Sequence, residues 1–359
     1  MMIQIVPQMP PFPNGVGDYS LALARRLRQD FGITTCFFVG DPNWNGATEI
    51  ENFPIHKVDE RSAKALVSVL EKVNVTNILL HYVGYGYALR GCPFWLIDGL
   101  HQWQSRKHKG ILVTMFHELY AVGYPIWSSA FWTEPVQKYL VARLVNMSDH
   151  AVTNKREYAK ILQKLGSNRK QQIPILPVFS NVGEPETIEP LNKRKPQVVV
   201  FGGAGNRSNV YEKSLSALKR VCLELNIQEI IDIGPPITLP IAEINNIPIV
   251  SLGQQSMEKV SSILQESWVG FFHYPLDFLT RSTIYAAYCA HGVIPVGTSY
   301  YAWGKEQDGL EENQHYWLVD NHNHKQLTLS LGEAIAHNAH LWYHTHNLNI
   351  QTKLFANIL

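Results

Sequence analysis

The chain has 359 residues, of which 45% are hydrophobic and 17% charged, and its formal net charge is +1. This balance is typical of a soluble globular protein, and the length predicts two domains. A net charge so close to zero gives no general attraction to nucleic acid or anionic lipid, and no apolar run approaches the roughly 18 residues that cross a bilayer. The N-terminal sequence shows no secretory signal pattern. Four scattered cysteines without C-x-x-C spacing predict reduced thiols in a cytoplasmic protein.

The first half of the chain alternates apolar runs of strand length with stretches of helical periodicity. Strands are predicted at 3–6, 33–39, 77–82, 111–116, 151–154 and 173–178, and helices at 62–72 and 157–165. Such alternation predicts a parallel sheet with helices on both faces. Residues 179–197 contain three prolines and no periodicity, so they are predicted to be a linker.

The same alternation starts again after the linker. Strands are predicted at 198–201, 229–234, 247–253, 268–275 and 294–297, and helices at 211–225, 284–290 and 331–359. We therefore expect an N-terminal domain over 1–178, the linker over 179–197 and a C-terminal domain over 198–335. A last helical segment over 336–359 completes the chain, and packing against the N-terminal domain is one option for it.

Two glycines, Gly15 and Gly17, stand where the first strand gives way to a helix. Glycine allows close backbone approach, and Asp18 can cap the helix that follows. A helix start offers free N–H groups and a positive dipole end, which suit a phosphate or sugar hydroxyls. The alternative is a plain tight turn before a capped helix.

Two further loops follow predicted strands of the first half. "HYVGYGYALRGCP" supplies Tyr85, Tyr87 and Arg90, and "FHELYAVGYP" supplies His117 and Glu118 just past a strand end. A lone histidine is usually structural. A histidine and glutamate pair at the carboxyl edge of a parallel sheet, where ligands bind, predicts an active site.

The segment "FGGAGNRSNVYEK" follows the first strand of the second half. It resembles part of a dinucleotide fingerprint, but Ser208 stands where the third glycine belongs. Asp232, at the end of the next strand, is a candidate for the acidic ribose ligand. The match to a nicotinamide site is weak.

Arg207 and Lys213 lie close behind those glycines. A nicotinamide site relies on helix N–H groups and needs no nearby cations, whereas a diphosphate leaving group is stabilised by them. The alternative is that both are solvated surface charges. Further along, hydroxyl groups precede the helix predicted over 284–290, where they can cap it or hold an anion.

Together these segments resemble the retaining glycosyltransferases of glycosyltransferase family 4, and the resemblance covers nearly the whole chain. "PPFPNGVGDYSLALARRL" is similar to the opening loop and first helix of that family, and "FHELY" to its histidine motif. "VVVFGGAGNRSNVYEK" resembles its Arg/Lys diphosphate site, and "STIYAAYCAHGVIPVG" resembles a block of its donor domain. The resemblance implies an α/β, GT-B fold: two Rossmann-like, doubly wound domains that face a central cleft.

The resemblance also implies site residues. The catalytic set would be His117, Glu118, Arg207 and Lys213. Donor-binding residues would be Gly15, Gly17, Gly203, Gly205, Asn206, Leu252, Gly253, Thr280, Arg281, Ser282 and Thr283. Acceptor-binding residues would be Tyr85, Tyr87, Arg90 and Tyr120. The donor would be a nucleotide-diphosphate sugar such as a UDP- or GDP-sugar, without a further cofactor. The acceptor would be a hydroxyl group of a polysaccharide, glycolipid or small metabolite.

The sequence departs from the family at two glutamates spaced eight positions apart. The first falls on Leu279 or Thr280 and the second on Ala287 or Tyr288, so neither carboxylate is present. No Asp-x-Asp motif occurs, which favours metal-independent chemistry. A group of histidines near the C-terminus is interpreted as solvated or packed side chains rather than as zinc ligands. Its members are His337, His340, His344 and His346.

Two other functions stay open at this point. The missing glutamates are consistent with a non-catalytic binder of nucleotide sugars or glycans, and the partial glycine fingerprint is consistent with an NAD-dependent oxidoreductase. No nucleic-acid partner is expected. The protein is expected in the cytoplasm, with a peripheral contact at the inner face of the membrane as a further option.

Overall fold

The computed structural model describes residues 1–11, 15–73, 77–106, 110–167, 172–239, 241–299, 308–319 and 325–359. The chain divides into two compact units. Unit 1 comprises Met1–Pro177 and Leu348–Leu359, and unit 2 comprises Val178–Asn347. The predicted linker, 179–197, therefore lies within unit 2, and the last helical segment is shared between the units.

Unit 1 contains one sheet in which seven strands are described. These are β1 (Met2–Val6), β2 (Thr35–Val39), β3 (Glu49–Ile50), β4 (Phe53–Lys57), β5 (Asn77–Tyr82), β6 (Ile111–Phe116) and β7 (His150–Thr153). Their order is β3-β4-β2-β1-β5-β6-β7, and all neighbours are parallel except the antiparallel pair β3–β4. The helices are α1 (Gly15–Phe31), α2 (Ala63–Val73), α3 (Gly84–Tyr87), α4 (Phe94–Arg106), α5 (Ser129–Met147), α6 (Arg156–Leu165) and α12 (Leu348–Ile358).

Unit 2 repeats this architecture. Its strands are β8 (Lys195–Phe201), β9 (Glu229–Ile233), β10 (Glu243–Ile244), β11 (Ile247–Gly253), β12 (Ser267–His273), β13 (Ile294–Thr298) and β14 (Trp317–Leu318), in the order β10-β11-β9-β8-β12-β13-β14. Only β10–β11 is antiparallel among the described pairs. Its helices are α7 (Ala204–Lys213), α8 (Leu215–Glu224), α9 (Met257–Glu266), α10 (Thr283–Ala290) and α11 (Leu329–His344), with short 3₁₀ turns at Leu191–Lys193 and Leu276–Arg281.

The central strands of both sheets are buried, which explains why runs of apolar residues predicted their positions. β1 pairs with both β2 and β5, so Ile3 stands between Cys36 and Ile78. All five residues of β1 are buried, because helices cover both faces of a parallel sheet and such strands are continuously apolar. In unit 2 the buried residues of β8 and β12 contribute to one core cluster with α8.

The structure corrects two predicted elements. Residues 173–178 form no strand, and only Ile175 makes a single bridge, with Thr153. The helix predicted over 211–225 is interrupted at Ser214, whose backbone leaves helical geometry at φ −125° and ψ 13°. The Ser214 hydroxyl bonds His273 Nδ1 at 3.0 Å, a contact that helical periodicity does not reveal.

The segment over 331–359 was predicted as one helical stretch. The structure has two helices there, α11 in unit 2 and α12 in unit 1. In the part of the chain that is described, no helix combines the length and the apolar character needed to cross a membrane.

Candidate functional site

Each sheet has one position at which the order of strands reverses. In unit 1 it lies between β1 and β5, and in unit 2 it lies between β8 and β12. The loops that leave two such strands run to opposite faces of the sheet and open a crevice at the carboxyl edge. Ligands of open α/β sheets bind in that crevice, so the side chains at these two positions are the candidate site.

In unit 1 a chain of hydrogen-bonded polar groups crosses this position. His81, on β5, bonds Gln4 Oε1 through Nε2 at 2.8 Å and His117 Nε2 through Nδ1 at 3.1 Å. Both imidazoles are buried, and His117 is only 5% exposed. Burial, and secondarily the neighbouring His117, hold the pKa of His81 well below its usual range, so His81 is neutral.

The order of these bonds fixes which nitrogens carry protons. The Gln4 oxygen can only accept, so His81 donates its Nε2–H to Gln4 and accepts at Nδ1. His117 therefore donates its Nε2–H to His81. In its neutral form, His117 then carries its lone pair on Nδ1.

Tyr19 of α1 holds the two imidazoles in place. Its ring meets His81 and His117 edge to face, with centroids 5.7 and 5.1 Å apart. The Tyr19 hydroxyl donates to Gln351 Oε1 at 2.5 Å, and Gln351 Nε2 donates to the Pro177 carbonyl at 2.7 Å. Helix α12 thereby supports the histidines from the end of the chain, a contribution that motif analysis missed.

The predicted acceptor residues occupy different environments. Tyr87 is fully buried and donates to the carbonyls of Ile5 and His81, so it supports β1 and β5 from inside unit 1 rather than offering a surface to an acceptor. Tyr85 and Arg90 are exposed, and Tyr120 is half-buried beneath Lys138 Nζ, which lies 5.0 Å from the centre of its ring.

Gly15 and Gly17 also differ. A Cβ at Gly17 would lie 2.6 Å from the Gln8 carbonyl oxygen, so glycine is needed for α1 to approach the end of β1. A Cβ at Gly15 would meet nothing within 4 Å. Glu118 is half-buried, and its backbone N–H bonds the Tyr82 carbonyl at 3.4 Å.

In unit 2 the crevice begins at the first turn of α7. Gly203, Gly205 and Asn206 are exposed, and a Cβ at either glycine would meet nothing within 4 Å. The adjoining concavity is lined by Asn206 together with His273 at the end of β12 and Ser282 before α10. Backbone N–H groups at an open, glycine-lined helix start can bind a phosphate.

Arg207 also lines this concavity, but its guanidinium is committed to protein partners. Its guanidinium is 1% exposed and forms a two-point ion pair with Asp232, in which Nε lies 3.0 Å from Oδ2. Nη1 donates to the Pro235 carbonyl, and the Tyr211 hydroxyl donates to Asp232 Oδ2 at 3.0 Å. Arg207 thus fixes α7 to the end of β9, and Asp232 is fully buried and committed to it.

Lys213 is exposed at the last turn of α7. Burial and the charge of Lys213 lower the pKa of His273, so the ammonium lies near that imidazole at the edge of the crevice. His273 also bonds Thr298 Oγ1 at 2.7 Å. Sequence analysis did not select His273, although its position as the last residue of a strand was the available signal.

The residues before α10 divide into structural and accessible groups. The Thr280 hydroxyl is buried and donates to Asp308 Oδ2 at 3.0 Å. Ser282 caps α10 by accepting from the Tyr285 N–H at 3.2 Å. The Arg281 guanidinium lies 5.1 Å from the centre of the Phe278 ring, and Thr283 is half-buried.

Leu252 and Gly253 end β11. Both are half-buried, Gly253 has a φ of +66°, and its carbonyl accepts from the Gly234 N–H at 3.0 Å. A Cβ at Gly253 would meet nothing within 4 Å, so space remains beside this strand end.

Tyr288 occupies one of the two positions at which the second expected glutamate is absent. It is fully buried, and its hydroxyl donates to the carbonyls of Val199 and Phe271 at 3.2 and 3.1 Å. A Cβ at Gly270 would lie 2.4 Å from its ring. The position therefore belongs to the core in this chain.

The C-terminal histidines make specific contacts. His340 Nδ1 bonds the Cys289 carbonyl at 2.9 Å, and the Nε2 atoms of His340 and His344 lie 2.8 Å apart. His346 is buried, which lowers its pKa to about 3. Among the described residues, no three His, Cys, Asp or Glu side chains are grouped so that they could hold a metal ion.

Comparison with known proteins identifies the fold. No protein-family model matches the sequence, and no curated protein matches it. Sucrose-phosphate synthase from Thermosynechococcus elongatus superimposes with a TM-score of 0.64 at 13% identity, covering 99% of this chain and 98% of that one. An α-glucosyltransferase in complex with UDP-glucose and DNA containing an abasic site gives 0.56 at 11% identity, with 99% and 98% covered.

A third similar structure is the apo form of the lipopolysaccharide outer core galactosyltransferase WaaB, with a TM-score of 0.54 at 10% identity and coverage of 100% and 99%. These matches extend over essentially the full length of each chain. The predicted fold class is confirmed: the protein has two Rossmann-like units of the GT-B fold.

Proposed function

We propose that the protein transfers a sugar from a nucleotide-diphosphate sugar to a hydroxyl acceptor, with retention of configuration and without a metal ion. The observation that carries this proposal is the open, glycine-lined start of α7 at the strand-order reversal of unit 2. The full-length likeness to structures named as glycosyltransferases supports it, as does the presence of UDP-glucose in one of them.

The leaving diphosphate would be stabilised mainly by backbone N–H groups and by one cation. The N–H groups of Gly205 and Asn206 provide the helix start, and Lys213 provides a positive charge near His273. We assign Arg207 a positioning role, because its guanidinium already serves Asp232 and Pro235. The pair keeps the glycine segment at a fixed place on the sheet edge.

His117 would lie near the donor sugar or the attacking hydroxyl, as the family resemblance implies. Its neighbours His81 and Tyr19 keep the ring in one orientation, and positioning of this kind supplies much of the barrier reduction in transfer reactions. Retention follows from the family resemblance, in which the departing diphosphate assists the incoming hydroxyl on the same face of the sugar.

A thermal-shift series tests donor binding. UDP or GDP and their sugars should raise the melting temperature, whereas NADH should not. Lys213→Ala should weaken this shift and lower turnover of the preferred donor by about 100-fold or more, the range for loss of a transition-state contact. Lys219→Ala is the matched control, since Lys219 is an exposed lysine on α8 and should leave both measurements unchanged.

The outcomes separate the alternatives. A shift with NADH and none with nucleoside diphosphates would favour an oxidoreductase, although Asp232 is buried against Arg207 and is not available to a ribose. Nucleotide-sugar binding without hydrolysis or transfer across a broad acceptor panel would identify a non-catalytic binder. Unchanged turnover in Lys213→Ala would reject the assigned diphosphate contact.

A further inference from the structure

Helix α5 carries apolar side chains on its outward face as well as on the face that packs into unit 1. Leu140, Val141 and Leu144 are buried in the core of that unit. On the other side of the helix, exposed residues recur at helical spacing; they are Phe131, Trp132, Pro135, Val136 and Tyr139. An apolar stripe that faces water on a helix already anchored in a core is typical of an interaction surface.

The segment directly before α5 adds to this stripe. The Trp132 indole N–H donates to the Ile126 carbonyl at 2.8 Å, which holds the segment beside the exposed side of the helix. Ile126 is 63% exposed, Trp127 84% and Trp132 71%. The Phe131 and Trp132 rings meet edge to face with centroids 5.5 Å apart, so the two rings restrict each other's movement. We call the surface formed by Ile126, Trp127 and the α5 stripe the aromatic face.

Two cations flank the aromatic face, and each is paired with a carboxylate of unit 1. Lys138 Nζ lies 2.6 Å from Glu134 Oε1, one helical turn away, and Arg143 Nη1 lies 2.9 Å from Asp98 Oδ1 on α4. Two cations and two carboxylates sum to a net charge of zero. The rim therefore has no excess charge that would repel a second copy of the same face.

The aromatic face is large enough to form most of a dimer contact. Trp127 and Trp132 alone expose about 400 Å², since a tryptophan side chain carries about 250 Å². The exposed parts of Ile126, Phe131 and Tyr139 raise the apolar total to about 700 Å². A stable protein–protein interface buries about 800 Å² on each partner.

We propose that the aromatic face binds the same face of a second copy of the chain, with the two α5 helices antiparallel about a two-fold axis. Such a contact brings the first half of one helix beside the second half of the other. Glu134 and Lys138 share one flank of the stripe near its middle, so Glu134 of each copy lies beside Lys138 of the other. This charge complementarity favours a second copy as the occupant. The inference concerns a surface of unit 1 and is independent of the proposed sugar transfer.

Analytical ultracentrifugation of a dilution series tests the proposal without nucleotide or sugar. The unmodified protein should pass from monomer to a species of twice the mass as its concentration rises. The double variant Trp127→Ser, Trp132→Ser should weaken dimerisation by about 10-fold or more, because tryptophans at the centre of an interface contribute much of the binding energy. Leu223→Ser, Leu341→Ser is the matched control, since it removes two exposed leucines of unit 2 and should dimerise like the unmodified protein.

Charge reversal tests the antiparallel arrangement. Glu134→Lys brings two lysines together at each crossing and Lys138→Glu brings two glutamates together, so each variant alone should dimerise about 10-fold less tightly. A mixture of the two variants should form heterodimers, since each crossing then joins a lysine to a glutamate. Arg26→Asp and Asp30→Arg are the matched controls, because they reverse an ion pair of the same spacing on α1, and they should change dimerisation neither alone nor in mixture.

A protein that stays monomeric at every concentration would overturn the proposal, and sedimentation of that monomer with phosphatidylcholine vesicles would identify lipid as the occupant. Equal losses in the tryptophan and leucine variants would also contradict it. If the two reversal variants fail to recover dimers when mixed, the antiparallel arrangement is wrong. Melting curves of all variants confirm that each is folded.

Discussion

The two strand-order reversals share a topology but differ in the groups buried beneath them. In unit 1 the buried groups are Gln4, His81 and His117, which are linked by hydrogen bonds along the edge of the sheet. In unit 2 the buried groups are charged, with Arg207 paired to Asp232. The same architecture therefore supports one edge with imidazoles and the other with an ion pair.

This difference matches the ligand chemistry that we propose for each edge. The amide of Gln4 and the neutral imidazole of His81 place no charge at the edge of unit 1. A buried ion pair places no net charge near the helix start, so the phosphate would meet backbone N–H groups and the exposed Lys213. In this proposal the buried Arg207–Asp232 pair holds the loop, and the exposed Lys213 would meet the ligand.

The largest effect is expected from breaking the ion pair. Asp232→Asn leaves the Arg207 guanidinium buried without a carboxylate, which costs about 3–5 kcal/mol of unfolding free energy. Urea denaturation measures this loss. The double variant Arg207→Met, Asp232→Leu should recover most of it, since an apolar pair leaves no unpaired charge. A loss below about 1 kcal/mol in Asp232→Asn would show that unit 2 does not depend on the pair.

One glycine in each unit allows a further comparison of the two units. Gly17→Ala in unit 1 would place a methyl group 2.6 Å from the Gln8 oxygen, so we expect a loss of about 1–3 kcal/mol in stability. Gly205→Ala in unit 2 meets open space and should raise helix stability by about 0.5–1 kcal/mol. If its open position serves a phosphate, the nucleotide thermal shift should nevertheless decrease. Equal stability changes at the two glycines would contradict this division.

Much of the sheet framework could be predicted because parallel strands are buried on both faces. The apolar runs at 77–82 and 111–116 coincide with β5 and β6. Strand β4 was missed, because Phe53–Lys57 alternates buried and exposed residues and contains a proline. The break between α7 and α8 was missed because Ser214 is held by side chains 59 and 84 positions away.

The site could be predicted in part. The loops selected from the sequence do follow strands in the structure, since strand ends are local features of the sequence; that they form the site stays a prediction. The side chains that pair with the site residues in each unit could not be predicted from local sequence. Asp232 lies 25 positions from Arg207, and His81 lies 36 positions from His117 inside an apolar strand. Nothing local distinguishes a guanidinium that meets a ligand from one that is already paired.

Lowering the pH is expected to give the smallest effect on stability, and it tests the buried His81 of unit 1 selectively. The pKa of His81 lies well below the usual 6.5 in the folded protein. As the pH falls below about 6.5, the unfolded chain binds a proton that the folded chain does not, so stability decreases. In unit 2, His291, whose pKa is lowered to about 4 by burial, and His346 act in the same direction.

The variant His81→Gln isolates the contribution of unit 1. It should be less stable than the unmodified protein at pH 7.5, because the contact with His117 is lost, yet its unfolding free energy should decline less steeply on going to pH 5.5. The difference in slope should approach about 1.4 kcal/mol per pH unit, the value for one proton. Urea denaturation at pH 7.5, 6.5 and 5.5 measures it. Parallel slopes would mean that His81 takes up its proton in the folded state, and the direction of the hydrogen bond between His81 and His117 would then have to be reversed.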